Sequence, residues 1–251
     1  MKMKVNKKKI LLCCCISLLI LVLLAAVYYF QFSAVGYRIT VPYRSSFEKV
    51  TDLIYVNKNF SGNVEETIKL TEDALERDRA FFGGMQCTDT TIIIFCDDNK
   101  LLSKLGGDHD TYFSVFPSMK SYISVSDEYL NIDILAHELT HAELHTRLTY
   151  KAMKGVPTWF DEGIATQNDY REQYGPEAWK EQTDNGKNIV APEDMDTPSE
   201  FYAGTKEDRR FRYLNAKHEV SEWMNTHQQK GLLELLDDLN NGEAFDSAYS
   251  K

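Results

Sequence analysis

"HELTHAELH", residues 137–145, sets three histidines four residues apart and tucks a glutamate behind the first of them. It lies inside "ILAHELTHAELHTRL", which reads as a helix with Asp133 as its N-cap. At positions i and i+4 of a helix, His137 and His141 project from one face and can reach a single ion at about 2.0–2.1 Å. Glu138 is the next residue round, beside the ion's open position, where a carboxylate can take a proton from a water. The competing reading is a polar helix face that is merely rich in histidine. With 6 His and 19 Glu in the chain, a random H-E-x-x-H arises in roughly one sequence in a hundred of this composition, so the spacing needs support from elsewhere in the chain.

That support comes from the next segment. "YKAMKGVP" interrupts the helix with Gly155 and Pro157, and "TWFDEGIATQ" restarts it. A catalytic zinc site takes three protein ligands and keeps a fourth position open. Glu162, twenty-one residues after His141, can supply the third ligand if the chain turns and brings the second helix alongside the first. Gly163, next to it, would let the two helices approach closely.

"HELTH" followed by "P-x-W-F-x-E-G-I-A" resembles the gluzincin metallopeptidases, and most closely the peptidase MA-like membrane-associated proteins of bacteria. The similarity runs from about Val64 to the C-terminus, including "IIIF", "YISVS" and "GEAFDSAY". The resemblance implies that His137, His141 and Glu162 bind Zn2+, that Glu138 is the general base, and that a tyrosine or histidine from a later helix steadies the oxyanion. Tyr213, in "RYLNAKHEV", stands where related proteins have a tyrosine opening that helix. Equally, Tyr213 with Ala216, Val220 and Met224 makes an ordinary buried helix face. His145 lies about 6 Å further along the axis than His141 and lacks the metzincin spacing, so it reads as a surface residue or as a support to the ligands. His218 is the alternative transition-state histidine, against a solvated residue on a charged helix. The G-x-M-E-N segment with which membrane alanyl aminopeptidases capture a free amine has no counterpart, since "GGM" at 83–85 leads into "QC". The resemblance therefore does not extend to aminopeptidase specificity.

The N-terminus has a different character. Lys2, Lys4, Lys7, Lys8 and Lys9 form a basic tail over residues 1–9, and residues 10–30, "ILLCCCISLLILVLLAAVYYF", carry no charge. A run of that length spans the roughly 30 Å hydrocarbon core of a bilayer. It reads as a signal anchor in the cell membrane with a cytoplasmic N-terminus, which sends the remainder across. A cleaved signal is the rival, but it has a shorter apolar region and a small-x-small site; "AVG" at 34–36 comes late. Cys13, Cys14 and Cys15 sit in the run as small hydrophobes, and "ILLC" comes too early for a lipoprotein site. Cys87 and Cys96 flank "TDTTIIIF". An extended strand would hold them too far apart for a disulfide, unless the strand starts after a turn at residues 88–90.

The net charge is −10, and without the five anchor lysines 23 basic residues face 38 acidic ones, a net of −15. That balance excludes nucleic acid as a partner and agrees with a soluble acidic domain. Residues 31–47 read as a stem or entry strand, with "YRITVPY" as a short strand, and 48–251 as one extracytoplasmic domain. Within it, Asn63 caps an amphipathic helix that ends at Gly83-Gly84. "TTIIIFC" is a buried strand, and "SYISVS" is a half-exposed edge strand. "TPSEF" opens with a capping box from Thr197 to Glu200, and "DRRFRYLNAKHEVSEWMNTH" and "GLLELLDDL" are two further helices.

The expected fold is α+β: a small mixed sheet on the zinc-bearing helix, then a helical C-terminal part. The expected function is zinc-dependent hydrolysis of a peptide or protein substrate, which would pair through backbone hydrogen bonds with Tyr122, Ile123 and Ser124. A catalytically silent, membrane-anchored binding or assembly module is the alternative, and a metal-free helix pair is the third reading.

Overall fold

Uninterrupted apolar side chains and the absence of any helix breaker make the first element a single long helix, α1 (Lys7–Phe32), in this computed structural model. The structure describes residues 7–97, 99–107, 112–115, 120–126 and 130–251; residues 1–6, with Lys2 and Lys4 of the expected tail, lie outside the described residues. Within α1, the 22 residues Leu11–Phe32 are apolar and long enough to cross a membrane, and the most apolar part of that stretch is not buried by the rest of the chain.

The expected stem is folded instead. Ser33 caps a new helix, α2 (Ala34–Thr40), and Pro42 then tightens the chain into a 3-10 turn at Val41–Tyr43, so "YRITVPY" is helical and not a strand. Tyr37, Val41 and Phe47 are buried among Ile92, Ile94, Leu102 and Tyr122, which makes this segment part of the domain's core.

The strands are β1 (Phe47–Lys49), β2 (Ile54–Asn57), β3 (Thr91–Cys96), β4 (Tyr112–Val115) and β5 (Ser121–Ser126), in the spatial order β1-β2-β3-β5-β4. β2, β3 and β5 run parallel, while β1 and β4 are antiparallel to their neighbours. β3 is buried along its whole length because both faces of the sheet are covered. Ile93 and Phe95 face helices α3 (Val64–Phe82) and α5 (Ile132–Arg147), whereas Ile92, Ile94 and Cys96 face α2 and the end of α4 (Asn99–Lys104).

β5 overturns its expected place. It lies between β3 and β4, with backbone partners on both sides, and every residue from Ser121 to Ser126 is buried. The alternation in "SYISVS" comes from small hydroxyls on a covered face, which periodicity alone cannot distinguish from an exposed one. Tyr122, Ile123 and Ser124 thus have no free backbone to offer a substrate strand; among the described residues the edge on this side is β4.

α3 is capped by Asn63, whose side chain accepts from the N–H groups of Glu65 and Glu66, and it stops at Gly83 in the left-handed region, φ 71°. α5 starts from Asn131 rather than Asp133, because Asn131 Oδ1 accepts the Asp133 N–H at 2.7 Å. Beyond α6 (Tyr150–Met153) come α7 (Thr158–Gln167), α8 (Pro176–Gln182), α9 (Pro198–Phe201), α10 (Lys206–Asn240) and α11 (Phe245–Tyr249). The α9 capping box is formed as expected, and α10 comprises two helical stretches broken at Gln228, φ 56°. That break brings Gln229 Nε2 to the carbonyls of Ala80 and Phe81, which need partners at the end of α3. Phe160, Ile164, Ala216, Val220 and Leu232 fill the core of this helical half.

Candidate metal centre

Two buried networks fix the face that α5 presents. On its far side Glu143 accepts from the N–H groups of Gln86 and Cys87, each at 2.8 Å, and from Arg147 Nε at 2.7 Å. Burial, with the Glu143 charge beside it, pushes the Cys87 thiol up to about 12. Cys87 and Cys96 are both buried, at opposite ends of the segment, and form no disulfide among the described residues. Toward α3, Thr140 donates to Asp78 Oδ1 at 2.8 Å, and Asn168, just past α7, bonds both Asp78 and Thr140. α3, α5 and α7 are thereby tied at one buried point, which sets the rotation of α5 and α7 about their own axes.

With that rotation set, His137, His141 and Glu162 converge. His137 Nε2 lies 3.2 Å from His141 Nε2, and Glu162 Oε2 lies 3.4 Å from each. Ligand atoms about 2.0–2.1 Å from a tetrahedral centre stand about 3.3–3.4 Å apart by simple geometry. The three edges observed match that figure within about 0.2 Å. Glu162 Oε2 and His137 Nδ1 are also buried without a hydrogen-bond partner, which is costly unless something else satisfies the carboxylate. The donor set fits a divalent metal ion, and a fourth position remains on the side of the cleft.

The groups around these three atoms decide their protonation. Burial alone would lower the His141 pKa, but Asp161 and Glu162 together hold it well above the ordinary histidine value. Burial likewise opposes ionisation of Glu162, yet the two imidazoles bring it down to about 2. Asp161, held ionised against its own burial by His141 and His145, accepts from His141 Nδ1 at 2.7 Å and lies 3.2 Å from His145 Nε2. The 2.7 Å separation is that of a hydrogen bond and is too short for two ligands of one tetrahedral ion. Asp161 therefore fixes the His141 ring with Nε2 turned toward Glu162, and His145 pairs with the same carboxylate.

Glu138 makes no side-chain hydrogen bond among the described residues and lines the cleft beside His137. Burial raises its pKa, opposed by the charges of His137 and His141. Tyr213 lines the same cleft, its ring centroid 6.1 Å from that of His137, while its other edge packs on Phe201 at 5.0 Å. Tyr213 is thus partly buried against the core of the helical half, as an ordinary helix face would be, and also lies on the cleft wall. Tyr202 had no signal in sequence, being the residue after a short capped helix, yet its hydroxyl donates to Glu162 Oε1. His218 is away from the site, stacked on Trp179 at 3.5 Å.

Gly163 serves a different contact from the one expected. A Cβ there would lie 2.7 Å from the Ala216 carbonyl oxygen and 2.6 Å from Val220 Cγ2, so the close approach is between α7 and α10, not between α7 and α5. No protein-family model and no curated protein matches the chain, so the functional reading rests on the geometry of His137, His141, Glu162 and their surroundings.

Proposed function

We propose that the chain is a membrane-anchored zinc metallopeptidase acting outside the cytoplasm, with α1 as a single-pass anchor whose N-terminus is cytoplasmic. The observation that carries this reading is the triangle of His137 Nε2, His141 Nε2 and Glu162 Oε2, with edges of 3.2–3.4 Å, opening onto a cleft of about 530 Å³. Two imidazoles and one carboxylate with a free fourth position are the donor set of catalytic zinc; structural zinc is closed by four protein ligands.

Zinc bound there would polarise a scissile carbonyl and acidify a water at neutral pH. His137, His141 and Glu162 would hold it, with Asp161 and Tyr202 keeping His141 and Glu162 in place. Glu138, whose pKa burial raises above the usual glutamate value, takes a proton from the attacking water and delivers it to the leaving amine. Tyr213 has no hydrogen-bonding partner of its own among the described residues and can donate to the oxyanion from the cleft wall. An extended substrate would pair with β4, the sheet edge nearer α5, in place of β5.

The test is metal content of the full-length chain in detergent, purified without chelator, together with hydrolysis of a mixed peptide substrate. The reading expects about one zinc per chain, turnover in the parent, and loss of turnover with retained zinc in Glu138→Gln. A chain that holds no zinc ends the metallopeptidase reading. One that holds zinc but shows no Glu138-dependent turnover leaves the silent binding module.

A further inference from the structure

The cleft that reaches His137 and Glu138 continues along the start of α10, where Lys206, Arg209 and Arg210 line it. A fourth cation, Arg171, is already spent: its guanidinium makes a two-pronged pair with the buried carboxylate of Asp169. Lys206, Arg209 and Arg210 form no ion pair among the described residues; Arg209 makes only a 3.4 Å contact with the Gly204 carbonyl. Two acids line the cleft with them, Glu207 on α10 and Glu138 at the end beside His137, so the three unpaired cations still outnumber the acids. Asp208 turns back to accept from Thr205 in the helix cap and does not line the cleft.

A charge run on a helix is ordinarily a solvated face, but two features set this one apart. The cations stand in the first two turns of α10, where the helix dipole favours acids, so they do nothing for the stability of that helix. They also gather in one cleft of a domain whose charge is −15 once the five N-terminal lysines are removed. A positive cleft within an acidic surface draws anionic ligands in and turns cationic ones away.

We propose that Lys206, Arg209 and Arg210 select peptides that carry acidic side chains next to the bond placed at the metal centre. This rests on the peptidase reading for its chemistry and adds the substrate class. An extended acidic segment fits better than a compact anion, because the cations are spaced over the first two turns of a helix in a cleft that also takes in His137 and Glu138.

The experiment uses the zinc-loaded full-length chain in detergent and three peptides of one scaffold, with Glu, Gln or Lys flanking the central bond. If each exposed contact contributes a factor of about 2–5, the Glu peptide exceeds the Lys peptide by about tenfold or more in kcat/KM at low salt. The preference shrinks at about 0.5 M salt and inverts in the Lys206→Glu/Arg210→Glu variant. Fluorescence anisotropy of the same peptides on the Glu138→Gln protein reads binding apart from turnover. Turnover with no charge preference overturns the inference and leaves the peptidase reading standing. Charge-dependent binding of the Glu peptide without turnover does the reverse. Equal binding of the Glu and Lys peptides, alongside tight binding of polyphosphate or anionic vesicles, assigns the rim to another anion and also overturns the inference.

Discussion

Two carboxylates of similar burial show what separates a structural acid from a site. Glu143 is 0 % exposed and Glu162 5 %. Every oxygen of Glu143 is bonded, to two backbone N–H groups and to the Arg147 guanidinium. Glu162 gives one oxygen to the Tyr202 hydroxyl and leaves the other facing two imidazole nitrogens with no hydrogen bond. Burial costs both groups solvation; Glu143 recovers it through hydrogen bonds to both oxygens, Glu162 through one hydrogen bond and the two neighbouring imidazoles. A carboxylate oxygen aimed at two imidazole nitrogens belongs to a group that could hold a metal ion, whereas a fully bonded carboxylate marks a joint between elements.

The sharpest way to break this comparison is to remove each acid in turn. Glu143→Ala strands the Arg147 charge and two buried N–H groups, and should lower the unfolding free energy by about 3–5 kcal/mol, measured by denaturant melts of zinc-loaded protein. Zinc content per folded molecule should stay unchanged, and loss of zinc from a folded Glu143→Ala protein would contradict the division of roles. Glu162→Ala should do the opposite, cutting zinc affinity by more than the 10–100-fold expected of an outer partner. Asp161→Asn should fall within that roughly 10–100-fold range, because it disturbs only the tautomer and aim of His141. Competition with a zinc-binding dye reads both. Equal losses in Asp161→Asn and Glu162→Ala would show that Asp161 is itself a ligand.

Gly163→Ala tests whether the ligand's helix needs its close seat on α10. The added methyl meets a backbone oxygen, and strain of about 1–3 kcal/mol is expected, with a lower Tm and weaker zinc binding together. A fall in Tm with zinc affinity untouched would separate the α7–α10 contact from the site.

The smallest effect sharpens the comparison with a third buried acid. Asp78 Oδ1 is bonded and Oδ2 is not, and burial holds its pKa well above the usual carboxylate range. An acid with a raised folded pKa destabilises the fold as pH climbs above the unfolded value near 3.9, until it ionises in the folded state too. Asp78→Asn removes that penalty. It should leave stability unchanged or slightly higher at pH 7 and flatten its decline above about pH 4. A large loss of stability at pH 7 would mean that the ionised form of Asp78 is needed.

Much of this was legible in sequence because it is local. A helix places i and i+4 on one face wherever it forms, so the shared face of His137 and His141, with Glu138 beside them, could be read from spacing alone. The cap residues Asn63 and Thr197, the break between Arg147 and Thr158, and Glu162 on the next helix follow from turn and capping chemistry within a few residues. The apolar character of residues 10–30 needs no neighbours to be read. What tertiary structure decided were relations between distant segments: β4 outside β5, Gly163 against Ala216, Tyr202 on Glu162, the relay from His145 through Asp161 to His141, and the cations of α10 turned toward the metal centre. Local periodicity says which face of an element is apolar. Which other element covers that face, and which polar atoms then meet across the contact, depends on how whole helices and strands pack.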